Sequence, residues 1–126
     1  MSGNLVRLLP NGDPQTGMKP STLTDPENFL TGDHSETSHT SFTNRQGNVT
    51  AGVWECAPCK EEIERYGVDE FCTVISGSVT ITGADGHPES FGPGDCFVIP
   101  QDFKGTWHIT ETLKKFWMIA EPPKAP

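Results

Sequence analysis

The sequence predicts an all-β domain, an antiparallel sandwich or barrel, on three observations. Short β-prone runs recur at intervals of about 8–12 residues in the second half of the chain, with turn residues between them. Within one run, Val79 and Ile81 alternate with small polar residues, the period-2 pattern of a strand with one buried face. The turns carry the residues that tight turns require, and 126 residues suit a single domain.

The first part of the chain predicts an extended arm followed by a loop. Prolines at positions 10, 14, 20 and 26 exclude a helix interior, although the apolar run at residues 5–9 predicts one short strand. Residues 31–48 are rich in Ser, Thr, Gly and Asn and predict a loop. We therefore expect an N-terminal arm over residues 1–30, the domain over 31–122 and a frayed tail over 123–126.

Regular structure is expected from residue 49 onwards. Strands are predicted over residues 49–55, 71–75, 78–82, 96–99, 105–110 and 115–120. Residues 60–66 are predicted to be a segment that leads into a strand and carries an acidic face. Asp85-Gly86 predicts a tight hairpin, and Pro93-Gly94 has the residues of a type II turn. The run 96–99 is apolar on both faces, so we expect it to be covered on both sides.

Composition and charge exclude several classes of partner. The net charge of −8 repels phosphate backbones and anionic lipid surfaces, so neither nucleic acid nor membrane is an expected partner. No apolar run approaches the roughly 20 residues of a membrane helix. The N-terminus also lacks the pattern of a secretory signal. We therefore expect a cytoplasmic protein whose four cysteines are reduced.

The runs and turns resemble the cupin superfamily of small jelly-roll barrels. Glu70 precedes Gly77 by the six intervening residues of the first cupin motif, and Gly94 precedes Pro100 by the five of the second. More narrowly, the segments GVWEC, FGPGD, FKGTW and FWMI are similar to small single-domain cupins related to the ureidoglycine aminohydrolase cupin domain and to ethanolamine-utilisation cupins. The resemblance implies an antiparallel jelly-roll barrel and, together with the apolar run 96–99, a homodimer.

Placing the chain on the two cupin motifs by these residues also shows where it departs from the cupin pattern. The two histidines of the first motif fall at Glu64 and Tyr66, and the histidine of the second falls at Gly105. Glu70 is the one ordinary cupin ligand that the alignment retains. The usual histidines are absent, so no cofactor is certain, and a divalent metal such as Mn²⁺ held by Glu64 and Glu70 is one alternative.

Glu64, Tyr66 and Glu70 are the candidate catalytic residues. Side chains two residues apart on a strand share a face, and the cupin pattern directs these three into the barrel. They could hold a hard divalent ion, or the two carboxyls could form a general acid–base pair in which one raises its neighbour's pKa. Alternatively, Glu70 bonds backbone amides inside the barrel and Glu64 is solvated at the mouth.

The candidate ligand-binding residues are aromatic side chains expected on the interior wall: Trp54, Tyr66, Phe97 and Trp107. They either line a pocket for a small polar metabolite or simply fill a small barrel. A positive charge from Lys60 or Lys104 near the mouth would favour a carboxylate substrate, although surface solvation is commoner for lysine.

The remaining reactive residues favour structural roles. Cys56 and Cys59 have C-x-x-C spacing, but no helix signal follows them and no second pair completes a zinc site. Phe71, Cys72 and Cys96 predict core. The histidines at positions 34, 39, 87 and 108 predict surface.

Three functions are open on the sequence. The first is an enzyme on a small, polar, nitrogen-containing metabolite, with the aminohydrolase-like chemistry that the resemblance implies. The second is a metal-free pocket that binds such a metabolite without turning it over. The third is a non-catalytic structural or interaction protein with a filled barrel.

Overall fold

The computed structural model describes residues 3–21, 29–30 and 35–122. Within these ranges the chain forms eight strands and no helix. The strands are β1 (Lys19–Pro20), β2 (Glu36–Thr43), β3 (Val49–Cys56), β4 (Cys59–Ile63), β5 (Asp69–Gly83), β6 (Pro88–Phe91), β7 (Cys96–Ile99) and β8 (Gly105–Ala120). Every strand pairing is antiparallel, which confirms the predicted all-β jelly roll. The limits of the predicted arm and tail stay a prediction.

Two long strands join the layers of the jelly roll. The C-terminal half of β8 pairs with β3, and its N-terminal half pairs with β4. In the same way, β5 pairs with β7 near its start and with β6 near its end. The predicted runs 71–75 and 78–82 are therefore one strand, as are 105–110 and 115–120. Each long strand belongs to both layers, so inward side chains of one layer face those of the other.

The bend in β5 depends on Gly77. Its register with β8 shifts between Val74 and Val79, where Gly77 adopts a φ of 85°. A β-carbon at this position would lie 1.9 Å from the Thr112 carbonyl oxygen. Only glycine combines the left-handed backbone with so close an approach, and the strand changes layers at this point.

Both predicted turns are confirmed. In the hairpin between β5 and β6, Gly86 has a φ of 84° and its N–H donates to the Gly83 carbonyl at 2.9 Å. In the turn between β6 and β7, Gly94 has a φ of 89° and the Asp95 N–H donates to the Gly92 carbonyl at 3.0 Å. Glycine supplies the positive φ in both turns without a steric penalty.

The predicted strand at residues 5–9 is wrong. These residues form no strand, and Leu5 is fully exposed. An extended segment becomes a strand only where a partner edge accepts its hydrogen bonds, and the arm meets β2 later, through the two residues of β1. Before that point Asn11 accepts a 3.0 Å hydrogen bond from the Lys114 ammonium, which attaches the arm to the outside of the barrel.

The loop predicted over residues 31–48 is also wrong, because Glu36–Thr43 forms β2. The edge of β3 accepts this polar segment, from Glu36 opposite Cys56 to Thr43 opposite Thr50. Strand preference depends on the available partner more than on the local sequence, and the edge of β3 that does not pair with β8 provides that partner. His39 therefore lies in a strand and is half-buried, while His34 lies outside the described residues.

The outer face of β7 contradicts the expectation of cover on both sides. Ile99 is buried, but Val98 is 63% exposed and Cys96 is exposed. Phe71, which we expected in the core, is 48% exposed, while Cys72 is fully buried as predicted. The period-2 alternation of β5 and β7 sends Phe71 and Val98 to the outer face, where they are opposite each other.

Candidate functional site

The interior of the barrel holds a charged residue on β8. Leu113, Lys115 and Trp117 alternate on one face of β8, and all three are buried. Lys115 is opposite Trp54 of β3 in the strand register, so both side chains point inward. The alternation that places Trp117 in the core therefore places an ammonium group there too.

Glu70 neutralises this ammonium group. The Lys115 Nζ lies 2.8 Å from the Glu70 Oε2, and the two side chains are 4% and 3% exposed. Burial alone would lower the pKa of Lys115, but the Glu70 carboxylate outweighs it, and the pKa is raised above its usual range. Lys115 is therefore protonated and held in a buried ion pair.

Tyr66 completes the group around Glu70. It lies in the loop between β4 and β5, and its backbone N–H donates to the Phe103 carbonyl at 2.9 Å. Its hydroxyl donates to Oε1 of Glu70, the oxygen that Lys115 leaves open. Burial, and next the Glu70 charge, raise the pKa of Tyr66 well above its usual value, so the phenol keeps its proton.

Two indole rings and a thiol surround the ammonium. The Lys115 Nζ lies 5.0 Å from the ring centroid of Trp54 and 4.7 Å from that of Trp107, distances suited to cation–π contacts. It also lies 3.3 Å from the Cys72 Sγ. Burial raises the pKa of Cys72 to about 12, so this sulfur remains a thiol. Trp54 and Trp107 come from different layers, so Lys115 links the two.

Two buried indole N–H groups have no acceptor among the described residues. They belong to Trp107 and Trp117, which are 3% and 4% exposed. Trp107 stacks parallel to Tyr66 with 6.5 Å between ring centroids, so its orientation is set by packing. A buried donor without a partner costs roughly 1–3 kcal/mol. Since the Trp107 ring also contacts the Lys115 ammonium, one of these two unpartnered donors belongs to a residue of the ion-pair site.

Glu61 is an acidic neighbour that the sequence did not single out. It is opposite Trp107 in the strand register and so shares the inner face of β4 and β8. Burial raises its pKa to about 7, an effect that the Lys115 charge reduces and the charges of Glu36 and Glu70 increase. A carboxyl that titrates near neutral pH is suited to give or take a proton. In the sequence, the inward direction of Glu61 was indicated only by its alternation with the apolar residues Cys59 and Ile63.

The expected inward direction of Glu64 is wrong. Its side chain is 73% exposed and pairs at 3.3 Å with Lys104, which is 59% exposed. β4 ends at Ile63, which is buried, so the next side chain points outward. The alternation of inward and outward side chains along β4 does not continue through the loop that leads to Glu70. Glu64 is thus solvated at the surface, as the alternative reading expected, while Glu70 bonds Tyr66 and Lys115 rather than backbone amides.

The site does not fit a bound metal. Glu64 and Glu70 point to different sides of the wall, so they cannot share an ion. Within the described residues, no group of three His, Cys, Asp or Glu side chains lies close enough to hold one. The position beside the Glu70 carboxylate, where a cation would be bound, is taken by the Lys115 ammonium. A cation supplied by the protein itself therefore occupies this position.

The other predicted site residues divide into core and surface. Trp54 and Trp107 are buried as expected, and Phe97 packs edge-on against Trp107 with 6.3 Å between centroids. Cys56 and Cys59 are both buried with their sulfurs 3.8 Å apart, and no disulfide joins them. Burial raises the pKa of Cys56, so it is not a reactive thiolate. Of the histidines, His87 and His108 are exposed as predicted.

The fold and the inward-facing acid of the first motif define the class of protein, a small cupin. Residues 43–117 match the family model of the EutQ-like cupin domain. The match covers more than half of the chain, and the chain belongs to this family. No curated protein matches the chain.

Solved structures share the fold at low sequence identity. A protein of unknown function from Pseudomonas syringae pv. tomato is 21% identical, with a TM-score of 0.78 over 86% of this chain and 46% of that one. EutQ from Clostridium difficile is 19% identical, with a TM-score of 0.60 over 70% of this chain and 64% of that one. Ectoine synthase from P. lautus is 13% identical, with a TM-score of 0.60 over 81% and 75%. These similarities show the fold alone.

Two further findings concern the length of the chain relative to a solved structure and the crossing of a membrane. The chain spans about half of the Pseudomonas protein, 46% of its length. In the part of the chain that the structure describes, no helix has the length and apolar character needed to cross a membrane.

Proposed function

We propose that this cupin binds a small polar metabolite in the barrel interior, beside the Lys115–Glu70 pair, and does so without a metal ion. In this proposal the Lys115 ammonium supplies the positive charge of the site. Trp54, Trp107 and Tyr66 form its walls, and the Trp107 N–H offers a hydrogen bond to a ligand oxygen.

The observation that carries the proposal is the buried ion pair. Removing two charges from water costs several kcal/mol per ion, and apolar residues of similar volume are often at least as stable. Lys115 and Glu70 are nearly inaccessible, and Tyr66 adds a third polar group. A barrel that needed only to be filled would gain nothing from this arrangement, so the pair favours a ligand site over the filled-barrel alternative.

The position of Glu61 favours a second candidate, catalysis on that same metabolite. A carboxyl with a pKa of about 7 exchanges protons readily at neutral pH, and the Tyr66 hydroxyl donates a hydrogen bond to the neighbouring Glu70. These groups are suited to acid–base steps of the aminohydrolase kind, with Glu70 and Tyr66 as candidate catalytic residues. Glu64 has no place in such a mechanism, because it points into solvent.

A thermal-shift screen of small polar metabolites tests the binding proposal. We expect at least one compound to stabilise the wild type, and Tyr66→Phe to reduce the shift while leaving the fold intact. Lys115→Met should abolish it, and its circular dichroism spectrum would show whether that variant folds. Treatment with EDTA should leave the shift unchanged. A thermal shift that disappears with EDTA would refute the proposal. So would a shift that remains when both the Lys115 ammonium and the Tyr66 hydroxyl are removed.

Ammonia release from any stabilising compound tests the catalytic candidate. We expect Glu61→Gln to lower the rate strongly and Glu62→Gln, on the exposed face of the same strand, to leave it unchanged. Binding without turnover would leave the metal-free pocket as the function. No binding by any compound would favour the structural alternative. A homodimer, a cytoplasmic location and the absence of nucleic-acid or membrane partners remain predictions from the sequence.

A further inference from the structure

A concave region borders the Lys115–Glu70 site. It is a cleft of about 270 Å³ between the β5–β6 hairpin, β7 and the loop before β8. We call it the hairpin cleft. Its volume is close to the lower end of the range for small-molecule sites.

The floor of the hairpin cleft is aromatic. Phe91 and Phe97 stack with their ring centroids 4.2 Å apart and their planes at 23°, and Ile81 and Phe103 extend the apolar surface. Phe97 also packs against the buried Trp107, so the floor rests on the core of the domain. A preformed aromatic surface of this kind binds a flat apolar group without a large ordering cost.

The rim of the cleft is acidic. Glu89 is opposite Ile81 in the strand register, so its side chain emerges on the face that forms the floor. Asp85 lies at the tip of the hairpin, where its Oδ1 accepts the His87 N–H at 3.0 Å. Among the described residues, His87 lines the cleft but no lysine or arginine does, and Glu89 makes no ion pair.

The cleft is chemically distinct from the interior site. Phe97 and Ile99 of β7 are opposite Cys72 and Glu70 of β5, so these two apolar side chains line the cleft and lie next to the ion pair on the same face of the sheet. The interior site holds the Lys115 ammonium beside Glu70, whereas the cleft is lined by Asp85, Glu89 and His87. The carboxylates of the cleft can therefore attract a cationic ligand, whereas the interior ammonium is already paired with Glu70.

We propose that the hairpin cleft binds a small molecule that joins a flat apolar body to a cationic nitrogen group. The apolar body would lie on Phe91 and Phe97. The cation would lie near Glu89 and Asp85, where two carboxylates and the negative faces of the rings attract it. The same features repel carboxylate-bearing molecules of equal size.

Phenethylamine and 3-phenylpropanoate are matched probes of opposite charge for this cleft. In a titration followed by ¹H–¹⁵N NMR, we expect phenethylamine to shift the amides of the β5–β6 hairpin and β7. We expect 3-phenylpropanoate to bind at least roughly tenfold more weakly, because Glu89 and Asp85 attract an ammonium group but repel a carboxylate. Equal binding of both probes, or shifts confined to other parts of the domain, would overturn the proposal.

Variants locate the charge contact and separate this proposal from the previous one. Glu89→Gln should weaken phenethylamine roughly fivefold, as expected for one partly exposed charge pair, and Glu62→Gln on β4 should have no effect. Tyr66→Phe, which reduces binding in the interior site, should leave phenethylamine binding unchanged. If Glu89→Gln has no effect, or if Tyr66→Phe weakens phenethylamine as strongly as Glu89→Gln does, the hairpin cleft is not the site.

Discussion

Lys115 and Glu70 are 45 residues apart in the sequence, yet their charged atoms lie 2.8 Å apart inside the barrel. The antiparallel pairing of β5 with β8 brings the two strands together, and the alternation of each strand directs both side chains inward. The pair belongs to a group of polar side chains in the interior, with Tyr66 bonded to Glu70 and Glu61 nearby. Its energetics can be measured independently of any ligand.

A double-mutant cycle should reveal strong coupling in this pair. Lys115→Met and Glu70→Gln should each lower the free energy of unfolding by roughly 3–5 kcal/mol, because each leaves a buried group without its partner. The double variant should lose much less than the sum. Urea unfolding of the four proteins gives the coupling free energy. Additive losses would show that the ion pair does not hold the interior together.

The Lys104–Glu64 pair is the matched control, because its chemistry is identical and its burial is not. Both side chains are more than half exposed and the charged atoms lie 3.3 Å apart. Solvent screening limits such a pair to roughly 0–1 kcal/mol. The same cycle on Lys104→Met and Glu64→Gln should therefore give a coupling close to zero.

Glu61 should make stability depend on pH. Its folded-state pKa of about 7 lies above the usual 4.5, so its contribution to stability is fully present below pH 4.5 and is lost as the pH rises through 7. Glu61→Gln, which cannot ionise, should be more stable than the wild type at pH 8 by roughly 1–3 kcal/mol and equal to it near pH 4. Urea unfolding across this range measures the difference, with Glu62→Gln as a control. A constant difference at all pH values would contradict the raised pKa.

Gly77 should tolerate no side chain. Gly77→Ala places a β-carbon against the Thr112 carbonyl at a φ of 85°, and we expect a loss of roughly 2–4 kcal/mol. Gly67→Ala is the matched control, because Gly67 has a φ of 90° but open space around the added carbon. It should lose roughly 1 kcal/mol. Thermal unfolding compares the two, and equal losses would mean that backbone conformation alone, without the close approach, explains both.

The predicted homodimer has an exposed apolar face on which it can be tested. Val98, Phe71 and Met118 are neighbours across β7, β5 and β8, and they are 63%, 48% and 46% exposed. We expect Phe71→Lys to convert a dimer into a monomer, and Glu62→Lys, on β4, to leave it intact. Light scattering after size-exclusion chromatography measures the mass. A wild type of monomer mass would end the dimer prediction.

The errors of sequence reasoning fall where a residue's environment depends on a distant strand. Polar residues 36–43 carried no strand pattern of their own, and the edge of β3 made them β2. The direction of Glu64 was misjudged because a two-residue spacing was extended past the end of β4 into a loop. Lys115 was overlooked as a site residue, although its alternation with Leu113 and Trp117 was a usable signal.

By itself, the sequence determined the β class, most of the strands after residue 49, both glycine turns and the inward direction of Glu70, Trp54 and Trp107. These properties are local: alternation, turn geometry and backbone preference act over a few residues. Only the tertiary structure decided that Lys115 meets Glu70, that Glu64 faces solvent and that the outer face of β7 is open. Those outcomes depend on which strands pair and in which register, and pairing is chosen by the burial of the whole domain.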